Sequence, residues 1–249
     1  MSPRAAAFAA LGVTLGAYYA LSESLPDVST WWEVAFLGLL LIPALLAFVW
    51  LLLPLWQARG IALVGLAFGA LAAVLEAADL SAPANFAKLA AMTFLGFWFL
   101  SFFDSLRWVV LVAAIIPIVD AYSVWRGPTR HIVTEQREIF TTLSVAFPVP
   151  GEHASANLGL PDFLFFAVFL AASVRFRLRP AWTWLAMALS IGATMAMAVW
   201  LDVAGLPALP LLSLGFVLPN ADLIWARLHR GRSEALGGSG AEEASRPVD

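Results

Sequence analysis

The chain has 249 residues, of which 61% are hydrophobic and only 12% charged, with a mean hydropathy of +0.85. That is too little charge to cover the surface of a soluble domain of this size, and a net charge of −3 offers nothing for nucleic acid. The absence of cysteine excludes disulfides, thiolate nucleophiles and cysteine-bound metal.

Apolar runs of about twenty residues recur along the chain and predict an all-α polytopic membrane protein with about eight transmembrane helices. The first run is residues 5–21, preceded by Arg4. It reads as a retained helix rather than a signal peptide, because no clear small-x-small cleavage site follows. The second is 31–56, with Trp31 and Trp56 marking two headgroup levels and Glu33 expected to be wetted at the interface. The third is 61–75, closed by Glu76 and Asp79, both expected to be solvated. The fourth is 86–103, followed by a tight polar turn in which Asp104 and Arg107 are expected to pair locally. Gly60, Gly65, Gly69 and Gly96 suit close helix packing in lipid.

The fifth run, 106–125, contains Pro117 and Asp120. The long connection 126–157 carries most of the polar residues outside the tail. Within it, 130–139 reads as a short amphipathic interfacial helix. The sixth run, 158–174, is followed by a basic turn with Arg175, Arg177 and Arg179. The seventh is 181–201, and the eighth runs from 206 to about 226 with Pro219 inside it. Asp202 is expected at an interface, and Asp222 beside Asn220 or an arginine at the helix ends. Residues 1–104 thus form an N-terminal four-helix membrane region, 105–230 a second membrane region, and 231–249 a disordered tail. No internal repeat supports an inverted-repeat transporter.

With eight crossings both termini lie on one side. Arginines concentrate at the ends that share the side of the N-terminus, so the positive-inside rule places both termini in the cytoplasm. The preponderance of Arg over Lys, with abundant Ala and Leu, suits a GC-rich bacterial genome and a prokaryotic cell membrane.

The connectivity brings three stretches to the same side of the membrane. Asp120 lies about five residues before the end of its run, and Asp162 about four after the start of the next, so both sit roughly 6–8 Å below one interface. Pro207-Ala208-Leu209-Pro210 opens the last run on that side. An ionisable residue inside a membrane segment is a candidate functional site. Two carboxylates at matched depth can share a proton and act as an acid/base pair. Simpler readings exist: Asp162 favoured by a helix N-terminus, Asp120 as a buried polar group, and Pro207 and Pro210 as a helix start.

Val119-Asp120, Gly159-Leu160-Pro161-Asp162 and Pro207-Ala208-Leu209, in that order on three runs, resemble the presenilin and signal peptide peptidase family of intramembrane aspartyl proteases. That family carries Tyr-Asp, Gly-x-Gly-Asp and Pro-Ala-Leu there. Residues 127–135, and Ser213 and Phe216 after the third motif, are also similar to presenilin. The likeness covers residues 116–222. It implies an aspartic endopeptidase that cleaves single-span transmembrane segments, with Asp120 and Asp162 catalytic. Gly159, Leu160, Pro161, Pro207, Ala208 and Leu209 would lie along the substrate. The substrate would unwind and add as a β-strand, for which residues 143–149 are the candidate partner strand. The expected partners are transmembrane peptides and the lipid bilayer, with no nucleic acid and no accessory subunit required. No cofactor or metal is needed: His131, His153 and His229 lack ligand spacing.

Two departures bear on activity. Val119 replaces the tyrosine, removing a hydroxyl. Pro161 replaces the second glycine, so a residue that allows close backbone approach gives way to one with fixed φ and no N–H. The family usually has nine spans, and eight runs are found here. Two other functions remain open: a non-catalytic binder of membrane helices, and a transporter using the two aspartates as a proton relay.

Overall fold

A computed structural model describes residues 2–126, 142–152, 155–203 and 206–229. The interfacial helix expected at 130–139, the tail, His131 and His153 lie outside the described residues. The chain is mostly helical. In order it forms α1 (Pro3–Leu21), α2 (Thr30–Leu55), α3 (Ile61–Ala77), α4 (Ser81–Phe102), α5 (Leu106–Arg126), β1 (Ser144–Pro148), β2 (Ser155–Gly159), α6 (Leu160–Arg175), α7 (Pro180–Trp200) and α8 (Leu209–His229).

Among the described residues, six helices are long and apolar enough to cross a membrane: α1, α2, α4, α5, α7 and α8. The other two are shorter, with 17 residues in α3 and 16 in α6. Sixteen residues rise only about 24 Å, less than a hydrocarbon core of about 30 Å. What α6 lacks in length it makes up in burial. Phe163 and every residue from Phe166 to Ser173 are buried, and α4, α5, α7 and α8 surround it. Phe169 stacks on Phe216 of α8, with centroids 4.9 Å apart and planes 13° apart. Asp162 is thus carried on the most enclosed helix of the bundle.

Glycines set several of the helix crossings, because lipid supplies no hydrophobic drive and backbones must touch to gain contact. Gly38 of α2 and Gly192 of α7 meet backbone to backbone, so that a Cβ on Gly192 would lie 2.7 Å from the Gly38 oxygen. Gly38 belongs to a π-helical stretch, Leu37–Leu41, just before Pro43. Proline cannot donate to the fourth carbonyl back and crowds it, and a wider turn relieves that conflict. Gly65 packs on Leu95 and Gly96 on α6. Gly69 has open space beside it, and Gly60 sits in a left-handed turn at φ 74 capping α3. The packing role expected of those two is therefore not found.

The polar residues need further correction. Glu33 is buried, 8% exposed, rather than wetted. Among the described residues Asp104 and Arg107 make no ion pair; helix α5 begins at Leu106, and nothing in the structure explains why they stay apart. Glu76 is not simply solvated: its carboxylate lies 2.9 Å from Lys88 Nζ. Asp202 is exposed. Asp222 pairs with Arg179 through two 2.7 Å bonds, while the Arg179 N–H donates to Asn220. These contacts clamp the α6–α7 turn to α8.

Lys88 is 6% exposed and also donates to the Ser144 carbonyl at 3.2 Å. Lys88→Met is expected to destabilise the protein by about 2–4 kcal/mol, less than for a fully enclosed pair because Glu76 is partly exposed. Adding Glu76→Gln should restore part of the loss. Equilibrium unfolding in detergent measures both, and an additive loss in the double variant would show that the pair is not coupled.

Candidate active site

The site is built on a two-stranded hairpin that feeds directly into α6. Strands β1 and β2 pair antiparallel, with Ser144 opposite Gly159 and Pro148 opposite Ser155. The Leu160 N–H then donates to the Leu143 carbonyl at 3.1 Å. Hydrogen-bonded pairs alternate along an antiparallel ladder, so Ser144, Ala146 and Pro148 point their backbone groups away from β2. Side chains from α1 and α4 meet them there. The Ala146 N–H donates to Asn85 Oδ1 at 3.1 Å. The Ala146 carbonyl accepts from Tyr19 at 2.7 Å and from Asn85 Nδ2 at 3.4 Å. The Pro148 carbonyl accepts from Tyr18 at 2.6 Å, and Lys88 serves Ser144. Proline has no N–H to satisfy.

The segment 143–149, expected to receive a substrate strand, does hold a strand, but its outer edge is already occupied. On the outer edge of β2, reached by the same alternation, the Ser155 carbonyl accepts from Asn157 Nδ2 and the Gly159 N–H goes to Asp162, which leaves the Asn157 backbone facing outward. The sequence reading missed Tyr18, Tyr19, Asn85 and Lys88. Two polar residues inside the start of an apolar helix, Asn85 and Lys88, were the available signal.

Gly159 is the cap of α6, in extended conformation at φ −62 and ψ 145. Leu160 and Pro161 form the first helical positions, where a missing N–H costs nothing because it would have no helical partner. Pro161 is exposed. Asp162 follows in the first turn, and its carboxylate accepts from the Gly159 backbone N–H. A Cβ on Gly159 would lie 3.2 Å from Asp162 Oδ2, so glycine keeps that approach open.

Asp120 arrives from α5. Pro117, one turn earlier and inside the helix, leaves the Ala113 carbonyl without its helical donor. The Asp120 carboxylate is half-buried, and its Oδ2 accepts from the Leu209 backbone N–H at 3.1 Å. Leu209 is the first residue of α8, with Ala208 as its cap; both are buried, and Pro207 is half-buried. That N–H is one of the donors a helix start leaves unpaired. Asp162 lies close enough to Asp120 to feel its charge. Val119 is 53% exposed and points away from the core.

The structure therefore brings together, from three helices and one strand, two carboxylates, two backbone N–H groups that hold them, and an open strand edge. Chemically, such an arrangement can hold a water between two oxygen acids and an extended chain alongside. No family model matches the sequence, and no curated protein is significantly similar to it.

Proposed function

We propose that the chain is an intramembrane aspartyl endopeptidase that hydrolyses single-span transmembrane segments. The observation that carries this reading is that Asp162 lies within range of the charge of Asp120 on a neighbouring helix, with Asp120 held by the N–H of Leu209 in the Pro-Ala-Leu segment. One carboxylate is ionised and takes a proton from water, which attacks the peptide carbonyl. The other is protonated, donates a hydrogen bond to the developing oxyanion, and gives its proton to the leaving nitrogen. No metal enters the chemistry.

The substrate strand adds to β2 at its outward-facing Asn157 backbone, five residues before Asp162. Main-chain bonds give affinity there, and the strand is delivered in the extended form that exposes its carbonyls. The chain crosses the membrane eight times with both termini in the cytoplasm, α3 and the enclosed α6 included. That orientation favours type II substrates, and the arginine-rich composition fits a prokaryotic cell membrane. No accessory subunit is required.

The test is a cleavage assay on the purified protein in lipid with a panel of single-span peptides. Products that persist when either aspartate is replaced would sink the mechanism. Captured peptide without products, unaltered by those replacements, would point to a non-catalytic helix binder. Flux driven by a pH gradient without products would point to a transporter. Pro161→Gly is expected to raise turnover several-fold, because it restores an N–H and close backbone approach beside the dyad. Unchanged turnover in that variant would show that the proline does not restrain the substrate.

A further inference from the structure

We propose that the cavity where the α2–α3 turn meets the C-terminal ends of α4 and α6 binds the phosphate headgroup of an anionic membrane phospholipid, with Arg175 as the phosphate ligand. The cavity has a volume of about 540 Å³, and Trp56, Gln57, Phe97, Trp98, Ser101 and Arg175 are among the residues that line it. Arg175 is the last residue of α6, about 20 Å along that helix from Asp162. The site therefore lies at the other end of α6 from the aspartates and takes no part in the chemistry proposed for them.

The chemistry of the lining favours a phosphate. Arg175 is half-buried. Its Nη1 donates to the Leu100 carbonyl at 2.8 Å, and its guanidinium lies 5.3 Å from the centroid of the Phe176 ring, contacts that hold the side chain in place. Among the described residues it makes no ion pair and no other hydrogen bond, so most of its planar fork of donors is uncommitted. No acidic residue among the described residues lines the cavity, and Gln57 and Ser101 add neutral side-chain donors. A half-buried guanidinium with no carboxylate facing it favours an anion, and its fork matches two phosphate oxygens at once.

The position selects a lipid over a soluble phosphate. Helices α2 and α4 are long and apolar enough to cross a membrane, and the cavity lies at their C-terminal ends. Trp56 and Trp98 line it, and indole rings favour the headgroup level. Trp98 is 40% exposed and meets the exposed Phe102 edge-on, with ring centroids 5.0 Å apart. Leu55 and Leu63, next in sequence to lining residues, are exposed as well. Apolar surface for acyl chains thus adjoins the arginine, the combination by which basic pockets between transmembrane helices take lipid headgroups. Arg59, exposed in the α2–α3 turn, adds a second positive charge nearby. A lipid that carries a phosphate and no compensating ammonium, such as phosphatidylglycerol, fits this charge best.

The test reads lipid binding and not cleavage, so its failure is distinct from failure of the protease reading. The purified full chain in detergent is titrated separately with phosphatidylglycerol, phosphatidylcholine and inorganic phosphate. Bound lipid is counted by native mass spectrometry, and thermal unfolding is followed in parallel. Wild type is expected to retain phosphatidylglycerol in preference to phosphatidylcholine and to unfold at a higher temperature with it. Arg175→Gln and Gln57→Glu should each weaken that binding about fivefold or more. Arg4→Gln, which removes an exposed arginine outside the cavity, should leave it unchanged. Gln57 is an exposed turn residue, so its variant keeps the test valid if Arg175→Gln misfolds. Equal binding of the two lipids by wild type, undiminished phosphatidylglycerol binding in folded Gln57→Glu, or inorganic phosphate raising the unfolding temperature as far as the lipid does, overturns the proposal.

Discussion

Asp120→Asn and Asp162→Asn are each expected to abolish peptide cleavage, with a loss on the order of 10³-fold or more, while the folded protein survives. Asparagine keeps the shape and an acceptor oxygen. The amide at position 120 can still accept from the Leu209 N–H, and the amide at position 162 from the Gly159 N–H, so the bonds that position the side chains persist. What disappears is the ability to hold and release a proton. Two carboxylates that act as a proposed unit predict a double variant that loses little beyond either single one. Wild-type activity should follow a bell-shaped pH profile whose two limbs belong to the pair. The measurement is product formation from a single-span peptide in lipid, alongside thermal unfolding of each variant. A single variant retaining a tenth of wild-type activity would be incompatible with the water-activation step.

Gly96→Ala is expected to destabilise the protein by about 1–3 kcal/mol, although one methyl group is added to a helix and alanine is the better helix former. The added Cβ would sit 2.6 Å from the Leu164 carbonyl oxygen and 2.8 Å from Ala167 Cβ. Neither is the end of a flexible side chain, so α4 and α6 must separate. Leu164 lies two residues beyond Asp162, and the displacement reaches the site through α6. The contrast is Gly69→Ala on α3, where a Cβ meets nothing within 4 Å. There the gain in helix propensity should stabilise by about 0.5–1 kcal/mol. Denaturant unfolding in detergent compares the two. Equal effects would mean that the α4–α6 crossing is not as close as described.

The sequence by itself determined the class and the order of the elements. Low charge and long apolar runs leave no soluble alternative, and helices are what a single chain can place in lipid with its backbone satisfied. The helices α1 to α8 follow the eight apolar runs in order, because hydrophobic length is a local property. The three polar motifs were legible for the same reason: a carboxylate or a paired proline stands out against an apolar background, and connectivity alone puts them on one side.

Only the tertiary structure decided what those residues meet. Run length says nothing about which helix is enclosed, and α6, the shortest of α1 to α8 among the described residues, proved the most buried because four others pack around it. The choice of edge was equally hidden. Segment 143–149 has strand-forming residues, yet its receptive side is taken by Tyr18, Tyr19, Asn85 and Lys88, at sequence separations no local pattern encodes. Glu33 shows the same limit. Beside two tryptophans it reads as a wetted interfacial charge, whereas in the structure the residue is 8% exposed and Asp27 and Glu152 come near its carboxylate from distant turns. Periodicity reports the environment a segment prefers, whereas partners are set by packing across the bundle. The Leu209 N–H on Asp120, spanning 89 residues, is a contact of that second kind.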